Sequence, residues 1–280
     1  MGATPDWGIA AGVYPQVWLG RLPKDHDAAV KQLAAFLTEC KALGLPGVAF
    51  HSGPRHIQAR WPALRDLAVD HGLRAGVGVG LDGKVDTDGT LLTAKEKGEC
   101  LGAVLADPAC AFGLLDAEGQ WETDQGPDDQ TKPAYVEVLG DAMHKLARPG
   151  YVAFDQPWFA IESHDAFPSS RFAKYVRARA PQPYCNLGDY IKLWGTKRWD
   201  RIEAWMERDW KSHEAWIRAH RTADLVRPRT ITIQGYKWDD AALLKCLRTW
   251  ATRGPVFVWG EPYPDAAFMR VLRGFLGVAP

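Results

Sequence analysis

Short apolar runs alternate along the chain with stretches whose apolar residues recur every three or four positions. The first run is "WGIAAGVY". After it, "DAAVKQLAAFLTECKALGL" carries its apolar residues at helical spacing. The run "PGVAFHS" follows, bounded by Pro46 and Gly53, then a helix around "IQARWPALRDLAVDHG" and a third run, "LRAGVGVGLDG". The helix "TAKEKGECLGAVLAD" leads to the fourth run, "FGLLDAEGQWE". A helix, "PAYVEVLGDAMHKLA", precedes the fifth run, "GYVAFDQPW". Beyond "SSRFAKYVRARA" lies the sixth, "QPYCNLG". The segment "KRWDRIEAWMERDWKSHEAWIRAHRTA" has the clearest helical pattern and leads to the seventh run, "RPRTITIQGYKW". The helix "DAALLKCLRTWATRG", the eighth run "PVFVWGEPYPD" and the helix "AAFMRVLRGFLG" complete the alternation.

Helices of this length between strands demand right-handed crossovers and parallel pairing. Eight strand–helix units in a chain of 280 residues match the count and size of a (β/α)8 TIM barrel. An open doubly wound sheet would carry a Gly-rich phosphate loop after its first strand. Here "GVGVGLDG" stands on the third run instead. No repeat, low-complexity stretch or linker divides the chain, so residues 1–280 are read as a single TIM-barrel domain.

A barrel places its chemistry at the C-terminal ends of its strands. The second run ends in His51 and Ser52, followed by a loop with Arg55 and His56. The fourth ends in Asp116 and Glu118, then Trp121, and the fifth in Asp155, Gln156 and Trp158. The sixth offers Asn186, the seventh Gln234, Tyr236 and Trp238, and the eighth Trp259, Glu261 and Tyr263. Strand periodicity puts Phe112, Leu114, Asp116 and Glu118 on one face. If the two apolar residues fill the barrel, both carboxylates point into its mouth. Two acids so close cannot both ionise freely, which suits one of them to hold a proton as a general acid.

The "LLDAEG" stretch resembles the end of strand four in two families of TIM-barrel glycoside hydrolases, the family 25 lysozymes and the family 18 chitinases. Both end that strand in D-x-E. The resemblance implies Glu118 as general acid and Asp116 as the carboxylate that orients a substrate N-acetyl group or a water. It also implies an N-acetylated, peptidoglycan- or chitin-like polysaccharide. The match covers the barrel rhythm and this motif. The first run lacks the strand-one Asp of the lysozymes, and Gly113 stands among apolar residues where the chitinases carry two further Asp. Glu261 and Asp155 are further carboxylates that would serve as partner to the acid, their separation indicating the stereochemical course.

Composition narrows the rest. Thirteen Trp are many for this length, and indole faces stack on pyranose rings. His51, Trp121, Gln156, Trp158, Asn186, Gln234, Tyr236, Trp238, Trp259 and Tyr263 are therefore the expected carbohydrate contacts, and His51 is expected to hydrogen-bond a carboxylate at the rim. The formal net charge is zero, with no basic stripe for nucleic acid and no apolar stretch long enough for a bilayer. No metal or other cofactor is expected: the His pattern of metal-dependent barrel hydrolases is missing. The five cysteines form no CxxC pair and read as reduced thiols of a protein made in the cytoplasm, since no signal peptide precedes the first run. A wall-active enzyme would then leave by another route, for instance as part of a phage-like particle. The rival reading is a catalytically inactive glycan-binding or structural barrel, motivated by the absent strand-one acid. A Schiff-base lyase or aldolase would need a Lys inside a strand, and none is found.

Overall fold

The computed structural model describes residues 6–81, 92–117, 132–157, 169–172, 174–180, 182, 230–235, 238, 240–260 and 262–278. Eight strands form one sheet: Gly12–Trp18 (β1), Gly47–Ser52 (β2), Arg74–Gly80 (β3), Cys110–Ala117 (β4), Ala153–Pro157 (β5), Ala178–Arg179 (β6), Ile231–Gln234 (β7) and Pro255–Trp259 (β8). Their order is β6-β5-β4-β3-β2-β1-β8-β7, and every pairing is parallel. At the remaining seam, the Thr230 N–H donates to the Arg179 carbonyl at 2.8 Å and the Thr232 hydroxyl to the Ala180 carbonyl at 3.0 Å. The sheet is thus a nearly closed (β/α)8 barrel. The helices among the described residues are His26–Ala42 (α1), Pro54–Asp70 (α2), Ala94–Leu105 (α3), Lys132–Leu146 (α4), Ser169–Phe172 (α5), Asp240–Trp250 (α6) and Ala266–Phe275 (α7).

Strand parity separates two apolar layers. Val48, Phe50, Leu115, Ala153, Ile231, Ile233, Val256 and Val258 pack with the helices. Tyr14, Ala49, Phe112, Leu114, Phe154, Ala178, Ala180 and Phe257 fill the barrel. Inside, Tyr14 meets Phe112 edge-on at 5.2 Å and Phe154 meets Phe257 at 4.9 Å, an arrangement the ring quadrupoles favour. Phe112 fits because β3 gives up a side chain: a Cβ on Gly76 would lie 2.4 Å from its ring. Burial pushes the Tyr14 phenol up to about 12, and its O–H donates to the Ala10 carbonyl at 3.0 Å. At the opposite end from the mouth, Trp7 packs on Gly254 and donates its indole N–H to the Arg253 carbonyl at 3.0 Å.

Outside, α3 and α4 touch backbone to backbone. A Cβ on Gly98 would lie 2.2 Å from the Leu139 carbonyl oxygen, and one on Gly102 2.6 Å from that of Met143. A capping box of Thr93 and Glu96 starts α3. The Thr93 N–H and hydroxyl hold the Glu96 carboxyl below the usual carboxylate range.

Three elements depart from the sequence reading. The first strand starts at Gly12, not Trp7, and runs through Pro15 to Trp18. Helix α2 begins at Pro54, so Arg55 and His56 lie on a helix rather than a loop; Gly53 before a Pro at the first helical position is a start signal. The sixth strand is Ala178–Arg179, inside "SSRFAKYVRARA" and ahead of the expected run.

Candidate functional site

The inward rows of the strands change character at their C-terminal ends. On β4 the row Phe112, Leu114 passes to Asp116, whose register partners are Gly80 on β3 and Gln156 on β5. On β1 the row Tyr14, Gln16 ends in Trp18. Trp18 is in register with His51 on β2, and His51 with Gly78 on β3. β7 contributes Thr232 and Gln234, and β8 contributes Trp259 opposite Gln234. Apolar packing below thus gives way to polar and aromatic groups around one opening.

These groups are tied together. His51 Nε2 lies 3.1 Å from Asp116 Oδ2, and Gln182 Nε2 donates to Asp116 Oδ1 at 2.7 Å. The same Gln182 amide donates to the Gln156 carbonyl at 2.9 Å. Gln156 Nε2 donates to the Thr232 hydroxyl at 2.7 Å. The network therefore runs from β2 through β4 and β5 to β7. Above it, Trp18 stacks on His51 with ring centroids 4.5 Å apart and planes at 6°, and meets Trp259 edge-on at 5.8 Å. The His51 side chain is 4 % exposed and that of Asp116 12 %, so the carboxylate is the member of the pair that reaches the opening. Among the described residues one group approaches each of its oxygens, which leaves each a lone pair for a further donor.

The barrel is shared with glycoside hydrolases. Active domain 2 of a thermostable chitinase from Pyrococcus furiosus superposes with a TM-score of 0.63 at 10% identity, over 99% of this chain and 98% of that one. A family 5 glycoside hydrolase from Prevotella bryantii gives 0.59 at 10% identity, over 99% of both chains. The glycoside hydrolase domain of PgaB from Bordetella bronchiseptica gives 0.56 at 13% identity, over 97% and 100%. No protein-family model and no curated protein matches the sequence.

The candidate residues divide into three groups. Asp116, His51, Gln156, Gln234 and Trp259 line the inward rows at the mouth. Asp155 does not. It is in register with Leu115, which packs toward the helices, and its Oδ2 accepts from Arg179 Nε at 3.0 Å and Nη2 at 2.8 Å. Tyr263 packs on α1, its ring stacked on Phe36 at 4.3 Å and its hydroxyl accepting from Gln32. Trp238 packs beside the outer layer and donates its indole N–H to the Gln234 carbonyl. Glu118, Glu261, Trp121, Trp158, Asn186 and Tyr236 lie outside the described residues.

Four residues at the site escaped the sequence reading: Gln16, Trp18, Gln182 and Thr232. Pro15 ended the first run four residues early, although an edge-like Pro at a strand residue whose N–H is not needed is compatible with pairing. Thr232 carried a usable signal, since it shares the face of Gln234 in "TITIQ". Cys40, Cys100, Cys110 and Cys246 are buried away from the site. Burial pushes the Cys110 thiol up to about 12 and raises that of Cys40 well above its usual value.

Proposed function

We propose that the protein is a glycoside hydrolase that cleaves a polysaccharide, with Asp116 as the orienting carboxylate and Glu118 as the general acid. The observation that carries this reading is Asp116 itself. It ends the inward row of β4, reaches the opening, and has each oxygen held by a fixed donor, His51 on one and Gln182 on the other. A carboxylate held in this way accepts a further N–H or O–H in a defined direction. An acetamido N–H of the substrate answers that description and places its carbonyl oxygen for attack at the anomeric carbon. A water activated beside the same carboxylate is the other route. Glu118, two residues on, gives its proton to the glycosidic oxygen as the bond to the anomeric carbon breaks. Trp18, stacked on His51, and Trp259, edge-on to Trp18, are partly exposed indoles at the same opening, suited to a pyranose.

The structural neighbours support a glycan substrate, and the Pyrococcus chitinase was captured with chito-oligosaccharides, which agrees with an N-acetylated one. Peptidoglycan and chitin oligomers are the first substrates to offer, alongside cellulose- and xyloglucan-type glucans. The reading expects new reducing ends from one member of this panel with the wild type and a loss of about 10²–10⁴-fold in Glu118→Gln. Equal rates in both proteins would remove Glu118 from the mechanism. One observation favours a second reading. The inward end of β1 carries Gln16 and Trp18 and no acid, which fits a barrel that binds glycans without cutting them. Binding without cleavage by the wild type would select it.

A further inference from the structure

We propose that His51 is a positioning residue that fixes the plane of the Asp116 carboxylate, donating from Nε2 and keeping Nδ1 without a proton. This rests on the reading of Asp116 as the orienting carboxylate. The torsion that turns an Asp carboxylate is soft, so one hydrogen bond leaves it free to swing. Gln182 holds Oδ1, and Gln182 is itself anchored on the Gln156 carbonyl. His51 holds the other oxygen, at 3.1 Å.

The barrel builds a slot for this ring. Trp18, its register neighbour on β1, stacks on it at 4.5 Å and nearly parallel. Its neighbour on β3 is Gly78, where a Cβ would lie 2.5 Å from the imidazole Cδ2. One strand supplies a flat surface and the next withholds a side chain, so the ring has one orientation. An ionised carboxylate has no proton to give, so Nε2 is the donor. Nδ1 is buried and meets no hydrogen-bond partner among the described residues. A proton there would be a buried donor with nothing to accept it, the costlier arrangement. Geometry thus selects one tautomer of the neutral ring.

Nitrogen-15 spectra of the wild type test this without any substitution. Above the imidazole titration, they should show a protonated Nε2 and a bare Nδ1 on His51, identified among the eight histidines by the resonances that His51→Gln removes. A protonated Nδ1 overturns the proposal. Kinetics on the cleaved glycan test the role. A Gln amide nitrogen reproduces the Nε2 donor, whereas Phe keeps the stack and loses the donor. His51→Phe should lower kcat by about 10–100-fold with KM little changed, and His51→Gln should recover most of that loss. A Gln variant as slow as the Phe variant overturns the positioning role. The expected tautomer with no cleavage of any glycan by the wild type overturns the hydrolase reading, and the role with it. The wrong tautomer in an active enzyme overturns the assignment of His51 alone.

Discussion

Asp116 and Asp155 sit one register step apart on neighbouring strands, and the barrel gives them opposite surroundings. Asp116 pairs across to Gln156, while Asp155 pairs back to Leu115. That single step puts Asp116 on the inward row at the mouth and Asp155 between the sheet and its helices. Asp116 is held by a His and an amide and reaches the opening. Asp155 is 1 % exposed and meets the Arg179 guanidinium through one oxygen. A carboxylate held by an imidazole and an amide at an open edge is available to a substrate. One neutralised by a buried cation is occupied in holding β5 to β6. Acidic side chains at strand ends are therefore separated by parity, not by residue type.

The comparison breaks first at Asp155. Asp155→Ala removes the carboxylate that accepts two charge-assisted hydrogen bonds from the buried Arg179 guanidinium and should cost about 1.5–3 kcal/mol, read as a lowered melting temperature. Replacing the pair together by Leu and Met should recover most of that loss. A smaller effect tests the parity that separates the two acids. Gly76→Ala drives a Cβ into the Phe112 ring on the same inward row as Asp116 and should cost about 1–3 kcal/mol by overpacking, measured by denaturant titration. The smallest effect concerns a third acid at the other end of β4. Burial opposes ionisation of Asp107, but the Ala109 N–H, the Trp61 indole and Arg65 outweigh it and hold its carboxyl below the usual range. A depressed folded value contributes stability that is present above the unfolded value of about 4 and is lost as pH falls through the folded one. Asp107→Asn should therefore flatten the acid limb of stability against pH below about 4, seen in melts across that range.

The barrel was legible because its signal is repeated: most runs announce a strand by apolar density bounded by Gly, Pro or acids, and β2, β3, β5, β7 and β8 fall within the runs read for them, while β4 starts two residues ahead of its run. The mouth position of Asp116 was legible from period two on β4, and His51 was expected to meet a carboxylate at the rim, which the structure identifies as Asp116. What failed needed tertiary information. In "SSRFAKYVRARA", Phe172 and Val176 stand at helical spacing and are both core residues, yet among its described residues only Ser169–Phe172 is helical. Arg179 reads as a break in an apolar run, and the Asp155 carboxylate beside it helps to hold it in a strand. Nothing local to β5 distinguishes Asp155 from Gln156, because Ala153 and Phe154 are both apolar and only the fold shows that Phe154 faces the barrel interior. Gln182 joins the site through space, from beyond β6, and no window of sequence shows that contact.

The direct measurement is reducing-end release from the cleaved glycan by the wild type, Asp116→Asn and Asp155→Asn, each assayed below its own melting temperature. The expected result is a loss of at least about 10²-fold in Asp116→Asn with melting unchanged, and near wild-type cleavage by an Asp155→Asn protein that melts earlier. Cleavage by Asp116→Asn at the wild-type rate would contradict the assignment of the barrel mouth as the place where the chain does its chemistry.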